Sequence, residues 1–191
     1  MLCGIFMNDA ALASKTDNAV SLINELLEEV SNIQKTKITT EQRGDEFLKL
    51  IHTFFDIDII AKASTGPYWR VATSDQKEHY TNLISELIAN VTSSQLGDID
   101  NFSFDFQSSI TKGDKMIMVS GNLIVPNQSA TKILVKWRVS TPDSNTAKII
   151  DIEFENISML VTQKQENIAI IRKNAGSFSA LIEAIEGKLR K

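Results

Sequence analysis

The sequence predicts a single α+β domain in which an antiparallel meander of about four strands is wrapped by amphipathic helices. Apolar residues recur at helical spacing in the first half of the chain and again at its end, whereas between residues 102 and 154 they alternate with polar residues. Short turns separate the alternating segments, which favours antiparallel pairing. One face of such a sheet is apolar and has to be covered by the helices.

Length, charge and cysteine content exclude several classes of protein. A chain of 191 residues suits one domain, which we place at residues 15–191. Twenty basic and 24 acidic side chains give a net charge of −4, which is not the basic footprint of a nucleic-acid-binding protein. The single cysteine, Cys3, excludes an intrachain disulfide and a cysteine-only metal site, and we predict no metal site.

Residues 1–14, MLCGIFMNDAALAS, differ from the rest of the chain. Ala11-Leu12-Ala13 has the small-x-small pattern that precedes a signal cleavage site, with Ser14 as the first mature residue. A basic start is missing, and the apolar run is shorter than the ~7–15 residues of a complete signal. Two interpretations stay open, a remnant of a secretory signal and a disordered N-terminus.

Helical spacing marks the first part of the domain. Residues 17–34 place their apolar side chains on one face, and Asp17 is the expected N-cap. A second helix is expected after Thr39, because Thr39 and Gln42 have the spacing of a capping box. The apolar side of this second helix comprises Phe47, Leu48, Ile51, Phe54 and Phe55.

Two more helices are expected before the strands. Asp56 can cap a short helix over residues 57–63, which a Gly-Pro pair ends. Thr73 and Gln76 form a second capping box, which predicts a long helix through about residue 92. The apolar side of this long helix comprises Tyr80, Leu83, Ile84, Leu87, Ile88 and Val91.

Strand-like alternation follows. Phe102, Phe104 and Phe106 alternate with polar residues in the first strand. Gly121 interrupts the second strand and predicts a bulge or bend there. The apolar faces of the second, third and fourth strands are Ile117, Val119, Leu123 and Val125; Ile133, Val135, Trp137 and Val139; and Ile150, Ile152 and Phe154.

The fourth strand leads directly into a helix. Asp151, Glu153 and Glu155 alternate with its apolar residues, so we expect them to face solvent rather than to form a catalytic carboxylate pair. Ser158 is expected to cap the following helix rather than to act as a nucleophile. Gly176 divides the C-terminal segment into two helices.

The sequence gives little support to catalysis, and we do not predict an enzyme. It contains two histidines and none of the GxSxG, P-loop, GxGxxG or HExxH motifs. A small NTF2-like enzyme acting on an apolar substrate stays open as an alternative. It would need a buried pair such as His52 with Asp56 or Asp58. An interaction domain with a filled core is a second alternative.

Several short motifs follow one another in a fixed order over about residues 45–190. They are Phe55-Asp56, Tyr68-Trp69-Arg70, Ala72-Thr73-Ser74-Asp75-Gln76, then the meander with Asp151, then Glu155-Asn156-Ile157-Ser158. In this order they resemble the MlaC family, the periplasmic phospholipid-binding proteins also called toluene-tolerance auxiliary components of ABC transporters. Asn156 stands where the family usually has glycine. Asparagine tolerates left-handed backbone, so we expect the sharp turn to persist.

The resemblance implies an NTF2-like or cystatin-like fold with an apolar cavity between sheet and helices. It implies a periplasmic carrier, working as a monomer and without a cofactor, whose cargo is a phospholipid. The expected partners are an outer-membrane lipoprotein–porin complex and the MCE-domain ring of an inner-membrane ABC transporter. The carrier would maintain outer-membrane lipid asymmetry. A hopanoid or another lipid stays open as the cargo.

The cavity is expected around the joint between the fourth strand and the next helix. Ile157 lies at this joint, so we expect its side chain to point between the layers and a charge there to expel the lipid. Strand residues would form the floor, and helix residues would close the other side. The expected lipid-binding residues are Ile157, Leu160, Val161, Phe154, Ile152, Ile150, Trp137, Val135, Val119, Leu123, Leu83, Ile84 and Leu87.

Overall fold

The computed structural model describes residues 6–96, 102–125 and 131–190, with side chains for 14–94, 102–125 and 132–190. Cys3 and residues 1–5 of the expected signal remnant lie outside this part. Helices precede and follow an antiparallel sheet, which confirms the α+β class. The elements are α1 (Phe6–Lys35), α2 (Thr40–Phe54), α3 (Ile57–Thr65), a 3₁₀ helix (Gly66–Arg70), α4 (Ser74–Leu96), β1 (Ser103–Thr111), β2 (Met116–Val125), β3 (Thr131–Ser140), β4 (Lys148–Phe154), β5 (Ile157–Ser158), α5 (Met159–Lys173) and α6 (Phe178–Leu189).

The predicted caps fix the starts of three helices. The hydroxyl of Thr39 accepts the N–H of Gln42 at 3.2 Å, and the Gln42 side chain accepts the N–H of Thr39 at 3.0 Å. Thr73 and Gln76 form the same reciprocal pair at the start of α4. Asp56 accepts the N–H of Ile59 at 3.0 Å and caps α3. These side chains satisfy amide groups that have no partner within the helix.

Helix α1 begins earlier than the sequence predicts. It starts at Phe6, so the expectation that Asp17 is its N-cap is wrong, and Asp17 lies exposed within the helix. The preceding residues are rich in alanine and leucine, which favour helix strongly enough to extend it backwards. Lys15 and Asn18 donate hydrogen bonds to the carbonyl groups of Asp114 and Ser144. These bonds tie the first half of α1 to the two turns at one end of the sheet.

The sheet has the order β1-β2-β3-β4-β5, one strand more than predicted. The extra strand forms because Glu155 and Asn156 both adopt left-handed backbone, with φ of 48° and 67°. This two-residue turn places Ile157 opposite Phe154 and Ser158 opposite Glu153. The left-handed conformation expected for Asn156 is therefore confirmed.

The inner face of the sheet packs against the helices in one core. Its buried residues include Ile117, Val119, Val135, Trp137 and Val139. Residues of the opposite face, such as Lys136 and Arg138, are partly exposed. The alternation read from the sequence therefore predicts the apolar face of these strands correctly.

A bulge in β4 alters the alternation that the sequence predicts for this strand. Arg138 pairs with Asp151, but the next residue of β3, Val139, pairs with Ile149, so Ile150 is an extra residue. Ile149 is consequently turned into the core and is fully buried. The predicted apolar face of β4 is thus extended by one residue.

The two edges of the sheet differ in what lies beside them. Among the described strands, β1 pairs with β2 alone and forms one edge. At the other edge, Phe55 forms an isolated bridge to Ile149, and Asp56 donates its N–H to the Ile149 carbonyl group at 2.9 Å. The short strand β5 pairs with the end of β4, at Glu153 and Phe154. The segment between α2 and α3 covers the beginning of β4, at Ile149.

The irregularity predicted at Gly121 lies in the neighbouring strand. The register between β1 and β2 shifts between Phe106 and Ser108, next to the pair of Phe106 with Gly121. The ring of Phe104 lies over Gly121 and meets Trp137 edge to face, with ring centroids 6.3 Å apart. A Cβ at residue 121 would lie 2.4 Å from the Phe104 ring and 2.6 Å from the Asp105 carbonyl oxygen. Glycine is required here by the close approach of β1.

We expect Gly121→Ala to lower the free energy of unfolding by about 1–3 kcal/mol, because the added methyl group overpacks the contact with Phe104. Urea denaturation measures this change. Gly44→Ala is the control, since its Cβ would lie 3.8 Å from the Asn90 side chain in an ordinary contact. Within helix α2 that change should raise stability by about 0.5–1 kcal/mol. Equal effects of the two substitutions would contradict this account of Gly121.

Candidate functional site: an apolar cavity between sheet and helices

A cavity of about 320 Å³ lies between the inner face of the sheet and the helices. Twenty-one of its 25 lining residues are apolar; the polar ones are Thr92, Asp151, Thr162 and Gln163. Neither lysine nor arginine is among them. The apolar lining residues are Leu26, Leu27, Val30, Phe47, Leu50, Ile51, Phe55, Ile60, Ile84, Leu87, Ile88, Val91, Phe102, Leu123, Val135, Trp137, Ile150, Ile152, Phe154, Met159 and Leu160.

The cavity opens at one end of the sheet. Its deep wall is formed by residues such as Phe47 and Ile84, which are about 1% exposed. Its rim includes Val91, Phe154 and Met159, which are 44%, 37% and 41% exposed. The rim therefore consists of the last turns of α4, the end of β4 and the beginning of α5.

The structure brings most of the predicted lipid-binding residues together around this cavity. The floor is formed by residues of β2, β3 and β4, and the roof by residues of α4 and α5. Whether these residues contact a lipid stays a prediction. The predicted residues that line the cavity are Leu160, Phe154, Ile152, Ile150, Trp137, Val135, Leu123, Ile84 and Leu87.

Four predicted residues do not line the cavity. Val119 and Leu83 are buried in the part of the core that is filled, and Ile157 and Val161 are 60% and 45% exposed. The expectation that Ile157 points between the layers is wrong. The two-residue turn places it opposite Phe154 on the short outermost strand β5, beyond the cavity wall.

Sequence reasoning did not include the wall contributed by α1, α2 and α3 among the site residues. Leu26, Val30, Phe47, Ile51 and Ile60 line the cavity from these helices. All of them except Ile60 lie on the apolar helix faces that the sequence predicts. Such a pattern indicates which side is buried, but it does not distinguish a packed neighbour from an empty space.

A buried carboxylate holds the joint between β4 and α5. The side chain of Asp151 has no exposed surface. Its two oxygens accept the hydroxyl of Ser158 at 2.6 Å and the N–H of Leu160 at 2.9 Å, and Arg138 lies 3.4 Å away. Ser158 in turn accepts the N–H of Val161 at 3.0 Å, which confirms its predicted role as N-cap. The carboxylate charge is thus buried with a full set of partners.

Two acidic residues of β4 are therefore buried rather than facing solvent. Asp151 and Glu153 are 4% and 8% exposed, because β5 and the start of α5 fold back beside them. Arg138 reaches across from β3 and pairs with both carboxylates. Glu155 is exposed as predicted, and its carboxylate accepts the N–H of Leu134.

The match to known protein families decides the assignment. The family described as MlaC protein matches residues 20–187. The chain belongs to the MlaC family. No curated protein matches the chain.

Among solved structures, this MlaC-family chain is similar to the phospholipid-binding protein from Ralstonia solanacearum, which was solved in complex with a phospholipid. The TM-score is 0.77 at 16% sequence identity, and the match covers 91% of this chain and 99% of the other. The fold is therefore shared although the sequences have diverged.

The aromatic motif that carries the MlaC resemblance packs away from the cavity. The ring of Trp69 meets that of Tyr80 edge to face at 6.4 Å, and Tyr80 meets Phe178 in the same way at 5.6 Å. These contacts join the 3₁₀ helix, α4 and α6. The motif therefore maintains the packing of the helices that surround the cavity.

A buried polar network joins α3, α4 and α5 beside the cavity. The Asn167 amide group donates to the Ser64 carbonyl oxygen at 3.0 Å and to the Tyr80 hydroxyl at 2.8 Å. The Asn167 side-chain oxygen accepts from Gln163 at 2.8 Å. The Ser64 hydroxyl donates to the Ala61 carbonyl oxygen, so the Tyr80 hydroxyl donates to Ser64. Burial raises the pKa of Tyr80 to about 12.

The pair of residues required by the enzyme alternative is not formed. His52 lies exposed on α2, away from the cavity lining, and Asp58 is exposed as well. In residues 6–96, 102–125 and 131–190, we find no group of three or more His, Cys, Asp and Glu that could hold a metal ion. No helix within the same ranges is long and apolar enough to cross a membrane.

We expect Tyr80→Phe to lower the free energy of unfolding by about 1–3 kcal/mol, because it leaves buried groups of Ser64 and Asn167 without one partner. The effect should depend on pH. The folded protein holds the Tyr80 proton up to about pH 12, whereas the unfolded chain releases it near pH 10. The contribution of this proton to stability is full below pH 10 and is lost as the pH rises to about 12.

Chemical denaturation at pH 8 and across pH 10–12 measures this difference between wild type and variant. Tyr68→Phe is the matched control, because Tyr68 is the other tyrosine and lies outside the network. An alkaline loss of stability that is as large in Tyr80→Phe as in wild type would contradict the assignment.

Proposed function

We propose that this protein binds the acyl chains of a phospholipid in the cavity and carries the lipid through water. The observation that supports the proposal most directly is the cavity itself, an apolar space with one open end. Each methylene group transferred from water to such a space contributes about 0.8 kcal/mol. A chain of ten or more methylene groups can therefore be bound without a specific polar contact.

The lining also explains which part of the lipid would supply the affinity. Lysine and arginine, which would pair with a phosphate group, are absent from the lining residues. The lining carboxylate, Asp151, is already held by Ser158, Leu160 and Arg138. We therefore propose that the tails are held in the cavity and that the headgroup lies at the rim.

The similarity to the Ralstonia phospholipid-binding protein supports a phospholipid as the cargo. That protein shares the fold over nearly its whole length and was solved with a phospholipid bound. A hopanoid is the second candidate within the carrier class. Apolar walls accept either, and identification of the bound lipid distinguishes them.

Membership of the MlaC family supports transport rather than catalysis. We propose a periplasmic carrier that exchanges its lipid with an outer-membrane lipoprotein–porin complex and with the MCE-domain ring of an inner-membrane ABC transporter. By working as a monomeric carrier, the protein would maintain the lipid asymmetry of the outer membrane.

The first experiment is native mass spectrometry of the purified protein with extraction and identification of the bound molecule. We expect the protein to carry a bound molecule that is identified as a phospholipid. A tightly bound non-lipid metabolite would contradict the proposal.

We expect Leu160→Gln to weaken phospholipid binding by roughly tenfold or more, because it places an amide group in the apolar wall without a partner. Displacement of a phospholipid with a fluorescent tail measures the affinity. Backbone contacts at residue 160 are unchanged, so the folded state should persist.

Val161→Gln is the matched control. Val161 is adjacent on the same helix, is also apolar, and is 45% exposed outside the cavity. The affinity of the Val161→Gln variant for the phospholipid should stay within about twofold of wild type, since substitutions at the surface change stability little. If the two variants lose affinity equally, the tails are not bound in this cavity.

A further inference from the structure

We propose that the first two turns of α5, residues 159–166, form a gate that swings away from the cavity to let the lipid pass. This inference rests on the proposed function. We call residues 159–166 the gate segment. It contributes Met159, Leu160, Thr162 and Gln163 to the cavity lining. Its displacement would therefore open the cavity along its side as well as at its rim.

The gate segment is packed more weakly than the other walls. None of residues 159–166 is buried, and the buried residues of α5 are Asn167 and Ile171, which lie beyond it. The other long helices that line the cavity are anchored by buried apolar side chains, such as Val30 of α1, Phe47 of α2 and Ile84 of α4. Segments with few buried apolar contacts are those that open most easily.

Polar contacts hold the gate segment at both ends. At its start, Ser158 and Asp151 accept the N–H groups of Val161 and Leu160. Near its end, Gln163 donates to Asn167, and Lys188 of α6 donates to the exposed carboxylate of Glu166 at 3.2 Å. Water can replace the hydrogen bonds of Val161 and Gln163 when the segment opens, and the buried Asp151 carboxylate then keeps Ser158 and Arg138 as partners.

Asn167 is the natural pivot. Its amide group is fixed by the Ser64 carbonyl oxygen and the Tyr80 hydroxyl, and the residue is fully buried. The remainder of α5 is anchored by Ile171, which is also fully buried. Movement of the gate segment would therefore end at Asn167 and leave the second half of the helix in place.

The size of the cavity provides an independent reason for movement. Its volume of about 320 Å³ is at the lower end of the range of roughly 300–1,000 Å³ for pockets that hold a drug-sized molecule. A phospholipid with two acyl chains is larger than such a molecule. Movement of a wall would make room for both chains, and the gate segment is a wall without a buried residue.

The test compares the serine caps of two helices. Ser158 caps α5 and Ser177 caps α6, each by accepting one N–H group, and Ser158 also donates its hydroxyl to the buried Asp151 carboxylate. Neither serine lines the cavity, and α6 contributes no residue to its lining. We expect Ser158→Ala to release a bound phospholipid with a fluorescent tail at least about fivefold faster into excess acceptor vesicles. Fivefold is the factor that corresponds to loss of a typical N-cap, and loss of the bond to Asp151 adds to it. Ser177→Ala should release it at the wild-type rate, and Ser158→Thr should restore that rate.

Hydrogen exchange of the full-length protein without added lipid provides the second measurement. Ser158→Ala should increase exchange in residues 159–166 but not beyond Asn167, whereas Ser177→Ala should increase it at the start of α6. Equal release rates for the two alanine variants, with lipid bound, would overturn the gate and leave the carrier function intact. If wild type takes up no lipid, the proposed function fails. The gate for lipid fails with it. An increase in exchange that extends beyond Asn167 in Ser158→Ala overturns the gate alone.

Discussion

The buried carboxylate of Asp151 is the interaction on which the joint between sheet and helix depends. A charge without exposed surface requires partners, and it finds them in Ser158, Leu160 and Arg138. Those partners come from three places: the cap of α5, its first turn and the neighbouring strand. One side chain therefore sets the direction in which α5 leaves the sheet. The position of α5 in turn determines where the cavity ends and where its rim begins.

The space between the layers is filled in one region and open in another. Tyr80, Trp69 and Phe178 pack edge to face and fill the region between α4, α6 and the 3₁₀ helix. Leu87 of α4 and Ile152 of β4 line the part that stays open. The aromatic cluster thus joins these helices outside the cavity lining.

Local chemistry made much of this structure predictable from the sequence. A capping box such as Thr39 with Gln42 depends on residues three positions apart, and the cap at Ser158 is equally local. The position of Ile157 was not predictable in the same way. It depends on a turn in which Glu155 takes left-handed backbone, which non-glycine residues rarely adopt. The burial of Glu153 was missed for a related reason, because its partner Arg138 lies on another strand.

The irregular edge strand has a consequence for self-association of the protein. A protein whose interior is an unfilled apolar space, and whose rim exposes Phe154 and Met159, is at risk of self-association whenever it is empty. A regular free strand would add a template for pairing with other chains. The bulge between Phe106 and Ser108 interrupts that template, and Asp105 adds a charge beside it. The edge of the sheet thus disfavours aggregation, so the chain can keep an apolar surface at the rim of the cavity without offering a strand to its neighbours.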